Sequence, residues 1–163
     1  MGFLPLAKAG AQENVSKAGW SMSDRKDFFY ACEEEASHVF SRDTARYYCF
    51  CMQESMESRF PNIADASKVN ADDLKSPEME AAARDCITGK WPTAEKEAFM
   101  KDCVQSAFEN LKDTAKAGVY CSCMMFKLEK KYPDINELLS IFNDTFMESD
   151  FFKEILKNCL EYL

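Results

Sequence analysis

The sequence predicts an all-α protein made of two tandem, duplicated three-helix units, each with two disulfides, packed as one compact helical bundle. Three observations predict it. Apolar residues recur at three- and four-residue steps, which is the helical period. The chain of 163 residues contains eight cysteines at ordered spacings. The string Tyr-Cys-x-Cys-Met occurs at residues 48–52 and again at 120–124, 72 positions later. Such self-similarity indicates an internal repeat.

The composition is that of a folded, acidic protein. Apolar residues make up 47% of the chain, which is enough for a core, and the formal net charge is −8. A nucleic-acid backbone and an anionic membrane surface both need concentrated Lys and Arg, so neither is an expected partner. We expect another protein, basic or neutral, and no cofactor. No run of about 18 apolar residues is present, so no transmembrane segment is predicted. The oligomeric state is left open.

The repeat sets the expected domain boundaries. Residues 1–19 are predicted to be a leader or flexible segment, since their apolar start followed by small residues resembles the tail of a clipped signal peptide. The first helical unit is expected over residues 20–89 and the second over 90–163. Trp20 and Trp91 open the two units at aligned positions.

The first helix of each unit carries an apolar stripe at helical spacing. The stripe consists of Phe29, Cys32, Ala36 and Val39 or Phe40 in the first unit and of Met100, Cys103, Ala107 and Leu111 in the second. Ser21 or Ser23 is the expected N-cap in the first unit. Thr93, which follows Pro92, is the expected N-cap in the second.

The second helix of each unit contains the Tyr-Cys-x-Cys-Met string. It is predicted to begin near residues 41–44 in the first unit and 113–114 in the second. It must end before the Phe-Pro pair at 60–61 and the Tyr-Pro pair at 132–133, because the residue before proline avoids helical dihedrals.

The third helix has the clearest start signals. Ser76 followed by Pro77 is a strong pair for the N-cap and the first helical position, and Ser149 is the matching cap in the second unit. Gly89 is the expected C-cap of the first unit. The segment before each third helix is less regular, with a short helix predicted only over residues 135–147.

The cysteines predict four disulfides. Each unit has one cysteine on its first helix, two on the second and one on the third. Residues two positions apart on a helix are related by a rotation of about 200°, so Cys49 and Cys51 point to opposite sides of the second helix. We therefore expect them to bond to different neighbouring helices. A turn near residues 41–43 favours four pairs: Cys32–Cys51, Cys49–Cys86, Cys103–Cys123 and Cys121–Cys159. The alternative is the swapped pairing within each unit, which joins Cys32 to Cys49 and Cys51 to Cys86.

The repeated string also suggests two other chemistries. Thiolate and thioether sulfurs are soft ligands, so a periplasmic Cu(I)-handling protein is the alternative function. Its ligands would be Cys49, Cys51, Met52, Cys121, Cys123 and Met124. A methionine on a helical stripe is more often core packing, however. A thiol–disulfide oxidoreductase is the third hypothesis, and it would need a lowered thiol pKa.

Residues that differ between the two copies indicate a possible partner face. Tyr47 and Phe50 are replaced by Val and Ser in the second copy, and they are expected near the acidic residues Glu33, Glu34 and Glu35. If exposed, the aromatic pair would form a docking surface. The alternative is that these aromatics pack between the two units. No residue is predicted to be catalytic.

A wider pattern accompanies the string. It consists of Trp91, Glu95, Phe99, Cys103, the string at 120–124 and the Tyr-Pro at 132–133. This pattern resembles a small helical cysteine module of predicted exported bacterial proteins of unknown function. The resemblance implies export and disulfide bridging, and names no activity. The expected protein is therefore a periplasmic or secreted helical binding or accessory module without catalytic activity.

Overall fold

A computed structural model describes residues 19–163. Regular structure within these residues is entirely helical, which confirms the all-α prediction. The chain divides into two compact units, one ending at Thr88 and one spanning Gly89–Leu163. The leader predicted for residues 1–19 lies outside the described residues apart from Gly19. No helix among the described residues is long and apolar enough to cross a membrane.

The first unit is organised around its second helix. Its elements are α1 Met22–Ala36, α2 Arg42–Arg59, α3 Ile63–Ala66, a 3-10 turn Asp73–Lys75 and α4 Pro77–Thr88. Helix α2 packs against both α1 and α4. Consequently α2 is buried on more than one side, with Ala45, Cys49 and Phe50 among its buried residues.

The second unit has the corresponding order with one more short helix. Its elements are α5 Thr93–Leu111, α6 Thr114–Lys131, α7 Ile135–Ile141, α8 Asp144–Met147 and α9 Asp150–Leu160. Helix α6 packs against α5 and α9. All residues from Cys121 to Phe126 are buried, so α6 lies in the middle of its unit.

Most of the predicted helix caps are present. Ser21 forms a capping box with Asp24, whose backbone N–H donates to Ser21 Oγ at 3.1 Å and whose carboxylate accepts from Ser21 N at 2.8 Å. Ser149 caps α9 by accepting from the backbone N–H of Phe152 at 3.2 Å. The prediction of Thr93 as an N-cap is wrong. The carbonyl of Pro92 already accepts the first helical hydrogen bonds, so Thr93 is inside α5.

Helices α2 and α6 end directly before the residue that precedes a proline, as predicted. The two C-cap carbonyls, of Phe60 and Tyr132, each accept a hydrogen bond from a tryptophan indole. The distance is 2.9 Å from Trp20 Nε1 to Phe60 O and 2.8 Å from Trp91 Nε1 to Tyr132 O. The aligned tryptophans and X-Pro pairs are thus direct partners, in which the indole satisfies a helix-terminal carbonyl.

All eight cysteines form disulfides, but the favoured pairing is wrong. The bonds are Cys32–Cys49, Cys51–Cys86, Cys103–Cys121 and Cys123–Cys159, with Cα–Cα distances of 5.7, 5.5, 5.8 and 5.6 Å. The pairs Cys32–Cys51, Cys49–Cys86, Cys103–Cys123 and Cys121–Cys159 do not form. The swapped alternative is the one observed in both units, and each bond joins the central helix to one neighbour.

The loop between α1 and α2 explains the error in the first unit. It spans residues 37–41 rather than 41–43, so Cys32 lies four residues before the end of α1 and Cys49 seven residues after the start of α2. A helix rises about 1.5 Å per residue, so Cys32 and Cys49 are offset by about 4.5 Å along the helix axes, measured from the connecting loop. The same offset between Cys32 and Cys51 would be about 7.5 Å. In the second unit, Cys121 and Cys123 are equally well placed along the helix axis to bond with Cys103. The pairing there depends on which of the two cysteines lies on the side of α6 that faces α5.

Candidate functional site

The aromatic pair predicted as a partner face is buried. Tyr47 is 6% exposed and Phe50 is 4% exposed, so the prediction of an exposed docking surface there is wrong. The Phe50 ring stacks on that of Phe29 in α1, with ring centroids 4.1 Å apart. The physical reason is the central position of α2, which buries side chains on several of its sides.

The acidic run beside that pair divides between the interior and the solvent. Glu33 is buried and accepts a hydrogen bond from Arg46 Nε at 2.8 Å, and Arg46 is itself buried. Glu34 and Glu35 are exposed, because consecutive residues of a helix point about 100° apart. Glu33 therefore forms an internal ion pair between α1 and α2 rather than part of a surface patch.

The six residues proposed as copper ligands do not form a ligand set in this structure. Their four cysteines are in disulfides, whose sulfurs are not the thiolates that bind Cu(I). Met52 and Met124 are buried. A Cu(I) function would first require reduction of bonds whose Cys49, Cys121 and Cys123 are fully buried.

The second unit contains the larger of two cavities at aligned positions. Its volume is about 560 Å3, and side chains from all five helices of the unit line it. The lining residues are Glu95, Ala98, Phe99, Asp102, Cys103, Ser106, Tyr120, Met124, Leu128, Ile135, Leu138, Leu139, Phe142, Met147 and Phe152. This lining is mainly apolar with a few polar groups, which is the usual character of a small-molecule site.

The first unit has a smaller cavity, of about 180 Å3. It is lined by Phe28, Cys32, Tyr48, Met52, Met56, Ala66, Val69, Leu74, Met79, Glu80 and Ala83. Its lining residues Phe28, Cys32, Tyr48, Met52 and Met56 align with Phe99, Cys103, Tyr120, Met124 and Leu128, which line the larger cavity. The repeated string therefore contributes its Tyr and its Met to a cavity in each unit. Helix α7 has seven residues where α3 has four, so a longer helix bounds the larger cavity.

Tyr120 brings a phenol to the larger cavity. Its partial burial raises the pKa of its hydroxyl above the ordinary value of 10.0, so the group is neutral at physiological pH. No hydrogen bond joins this hydroxyl to any of residues 19–163. The phenol is thus a donor and acceptor that a ligand can use.

Two carboxylates lie on the cavity side of α5. Glu95 and Asp102 both line the cavity and are both exposed to solvent. They are seven residues apart, which is two helical turns, so they share one face of α5 with Phe99 and Ser106. Neither carboxylate is in an ion pair with a described residue. The polar edge of the cavity is therefore acidic, and its two carboxylates can contact a ligand.

Exposed apolar side chains also line the cavity. Leu139 is 62% exposed, Phe142 44% and Met147 39%, and all three also line the cavity. Side chains that are both exposed and cavity-lining mark its opening. A cluster of exposed apolar groups at an opening is characteristic of a binding site.

A buried ion pair near the start of α5 has a structural role. Glu129 is 1% exposed and lies 3.5 Å from Lys96 Nζ, and it also accepts from the backbone N–H groups of Lys90 and Trp91, the latter at 2.6 Å. Burial lowers the pKa of Lys96, and the nearby carboxylate partly offsets this. This network ties the segment before α5 to α6.

Comparison with protein-family models, with curated proteins and with solved structures found no match. The site is accordingly interpreted from its own residues.

The sequence patterns did not reveal the cavity. The sequence feature that could have indicated it is the set of additional aromatic residues in the second unit, Phe142, Phe146 and Phe151. Of these, only Phe142 lines the cavity, whereas Phe146 and Phe151 pack around Tyr132 with ring centroids 6.0 and 6.2 Å away.

Proposed function

We propose that the protein is an exported, non-catalytic binding module whose second unit holds an apolar ligand or the apolar group of a partner. The observation that carries the proposal is the cavity of about 560 Å3 in that unit. Its volume lies within the range of about 300–1,000 Å3 that is typical of small-molecule sites. The exposed side chains of Leu139, Phe142 and Met147 provide an apolar entrance.

The four disulfides support export. Disulfides persist in the periplasm and outside the cell, whereas cytosolic thiols are kept reduced. Each described unit has two of them. A count of reactive thiols in the protein purified from its native compartment, under denaturing conditions, is expected to find essentially none. Several thiols per chain would contradict this part of the proposal and favour the Cu(I) alternative.

The polar groups of the cavity support binding rather than catalysis. Activation of a nucleophile requires a base within hydrogen-bond reach of it. Within the described chain, the side chains of Glu95, Asp102, Ser106 and Tyr120 form no hydrogen bond with one another. They are placed around an apolar volume as separate contacts.

The test of binding uses an uncharged alkyl probe and matched tryptophan variants. Dodecyl maltoside below its micelle concentration is titrated into the whole protein and followed by calorimetry. We expect saturable binding that Ala98→Trp weakens by about tenfold, because Ala98 lines the larger cavity and the indole occupies space there.

Two variants serve as controls. Glu97→Trp changes an exposed neighbour on the same helix that does not line the cavity, and Ala83→Trp changes the smaller cavity of the first unit. Both should bind the probe as the parent does. Absence of binding, or equal weakening by Ala98→Trp and Glu97→Trp, would refute the proposal.

A further inference from the structure

We propose that the ligand of the second-unit cavity is a cationic amphiphile, an apolar chain or ring system that carries an amine or quaternary ammonium group. This inference rests on the proposed function, and it assigns the chemical class of the ligand. The apolar part enters the cavity, and the positive head remains at the edge formed by α5.

Charge at the edge of the cavity favours a cation. Glu95 and Asp102 are carboxylates, and the lining includes no Lys, Arg or His. Both carboxylates are exposed, without an ion-pair partner among residues 19–163, so a ligand head need not displace a protein cation. A fatty acid or another anionic amphiphile would instead place its negative head beside these two like charges.

The aromatic lining suits the same ligand class. The rings of Phe99, Tyr120, Phe142 and Phe152 all line the cavity. A cation over an aromatic face is attracted by the ring quadrupole, and quaternary ammonium groups are recognised in this way. The Tyr120 hydroxyl, which no described residue uses, can accept a hydrogen bond from a protonated amine.

The smaller cavity of the first unit has no carboxylate of α1 in its lining. Position 24, which aligns with Glu95, is Asp24, but its carboxylate is engaged in the capping box of α1. Position 31, which aligns with Asp102, is an alanine. The carboxylate that does line the smaller cavity, Glu80, lies 3.9 Å from Arg84. Of these two cavities, the larger is the one lined by carboxylates that are in no ion pair with a described residue.

The experiment compares three probes built on twelve-carbon chains: dodecyltrimethylammonium, dodecyl maltoside and dodecanoate. Each is titrated below its micelle concentration into the whole protein at low and at high salt. We expect the cationic probe to bind about threefold to tenfold more tightly than the uncharged one at low salt, and dodecanoate to bind more weakly than both. The difference should shrink at high salt, because the carboxylates are exposed.

Variants locate the effect. Glu95→Gln with Asp102→Asn should remove the preference for the cation, so that dodecyltrimethylammonium and dodecyl maltoside bind the double variant with similar affinity. Glu97→Gln removes an exposed charge of α5 outside the lining and should leave the preference intact.

The outcomes separate the two proposals. Equal binding of the cationic and uncharged probes overturns the ligand class but leaves the binding function standing. A preference that survives the double variant also overturns it, since the general acidity of the chain would then be the cause. If none of the probes binds, the proposed function itself fails.

Discussion

The indole N–H of Trp91 holds one end of the central helix of the second unit. It donates to the carbonyl of Tyr132 at 2.8 Å, and Trp91 is only 3% exposed. Trp20 makes the equivalent bond in the first unit. Each tryptophan thus packs in the core and also donates to a C-cap carbonyl. That carbonyl has no partner within its helix, because the helix ends before the following proline.

Trp91→Phe is expected to lower the free energy of unfolding by about 1–3 kcal/mol, because it leaves the Tyr132 carbonyl without its donor and removes apolar contact area. Urea denaturation followed by circular dichroism measures the change. Phe108→Leu, at a 43% exposed position of the same unit, should change stability by less than about 0.5 kcal/mol. Similar effects for the two variants would contradict the role assigned to the indole.

The tyrosines of the repeated string predict a loss of stability at alkaline pH. Burial raises the pKa of Tyr48 and Tyr120 above 10.0 in the folded protein, so the folded state holds these protons more tightly than the unfolded state. Their contribution is complete below pH 10.0 and is lost as the pH rises through the folded pKa values. The double variant Tyr48→Phe with Tyr120→Phe should therefore lose less stability above pH 10.0 than the parent.

Lys96 contributes to the pH dependence of stability with the opposite sign to the two tyrosines. Burial lowers its pKa below 10.5, so its contribution becomes more favourable as the pH rises toward that value. The comparison of parent and tyrosine variant in urea at matched pH cancels this term. Identical alkaline slopes for the two proteins would show that the phenols do not titrate as described.

Helices α2 and α6 are the central elements of their units. Each carries two cysteines two positions apart, and these bond to helices on opposite sides: Cys49 to α1 and Cys51 to α4 in the first unit. Rotation by about 200° between them makes this arrangement possible. The string Tyr-Cys-x-Cys-Met is therefore a structural element that also places Tyr and Met in the cavity lining.

Removing the Cys51–Cys86 bond should release α4. The Cys51–Cys86 bond closes a separation of 35 residues, and the Cys32–Cys49 bond closes one of 17. In the entropic account, Cys51→Ala with Cys86→Ala lowers the free energy of unfolding by about 4 kcal/mol. The matching variant, Cys32→Ala with Cys49→Ala, lowers it by about 3 kcal/mol. Hydrogen exchange with mass spectrometry should show faster exchange over Pro77–Thr88 in the first variant. Equal exchange over α4 in both variants would contradict this assignment.

Two helix ends differ in the residue that takes the left-handed conformation. Gly89 follows α4 with φ of 63°, where glycine has no steric cost, whereas Lys112 follows α5 with φ of 54°. Lys112→Gly should raise the free energy of unfolding by about 0.5 kcal/mol, because relief of about 1 kcal/mol of strain exceeds the added freedom of the unfolded chain. Gly89→Ala should lower it by about 1 kcal/mol. Denaturant titrations of both variants measure these changes, and opposite signs would refute the prediction.

At the scale of the whole molecule, four disulfides act on a small, two-unit chain. In the entropic account each disulfide destabilises the unfolded state by about 3–4 kcal/mol. The sum for four disulfides is comparable to the total stability of about 5–15 kcal/mol of an ordinary protein. The reduced and alkylated protein is accordingly expected to lose its cooperative urea transition at neutral pH. A cooperative transition that survives alkylation would show that helix packing alone is sufficient.

The helices were predictable because their signals are local. The caps at Ser21 and Ser149, the stops before Pro61 and Pro133 and the period of the apolar residues all act within a few positions along the chain. The cap assigned to Thr93 was displaced by one residue, since the proline carbonyl itself began the helix.

The disulfide pairs and the exposed aromatic face were not predictable in the same way. The register between Cys32 and Cys49 depends on a five-residue loop, and a shift of two residues exchanges the partners. The burial of Tyr47 and Phe50 depends on how many neighbours surround α2. Both are properties of helices already packed together.

The sequence by itself determined the helical class, the cysteine chemistry and the repeated central string, since periodicity, capping and composition act through near neighbours in the chain. Only the tertiary structure decided the disulfide partners and the cavity of about 560 Å3 in the second unit. A cavity is the space left between side chains from five separate helices, and no local pattern encodes that space.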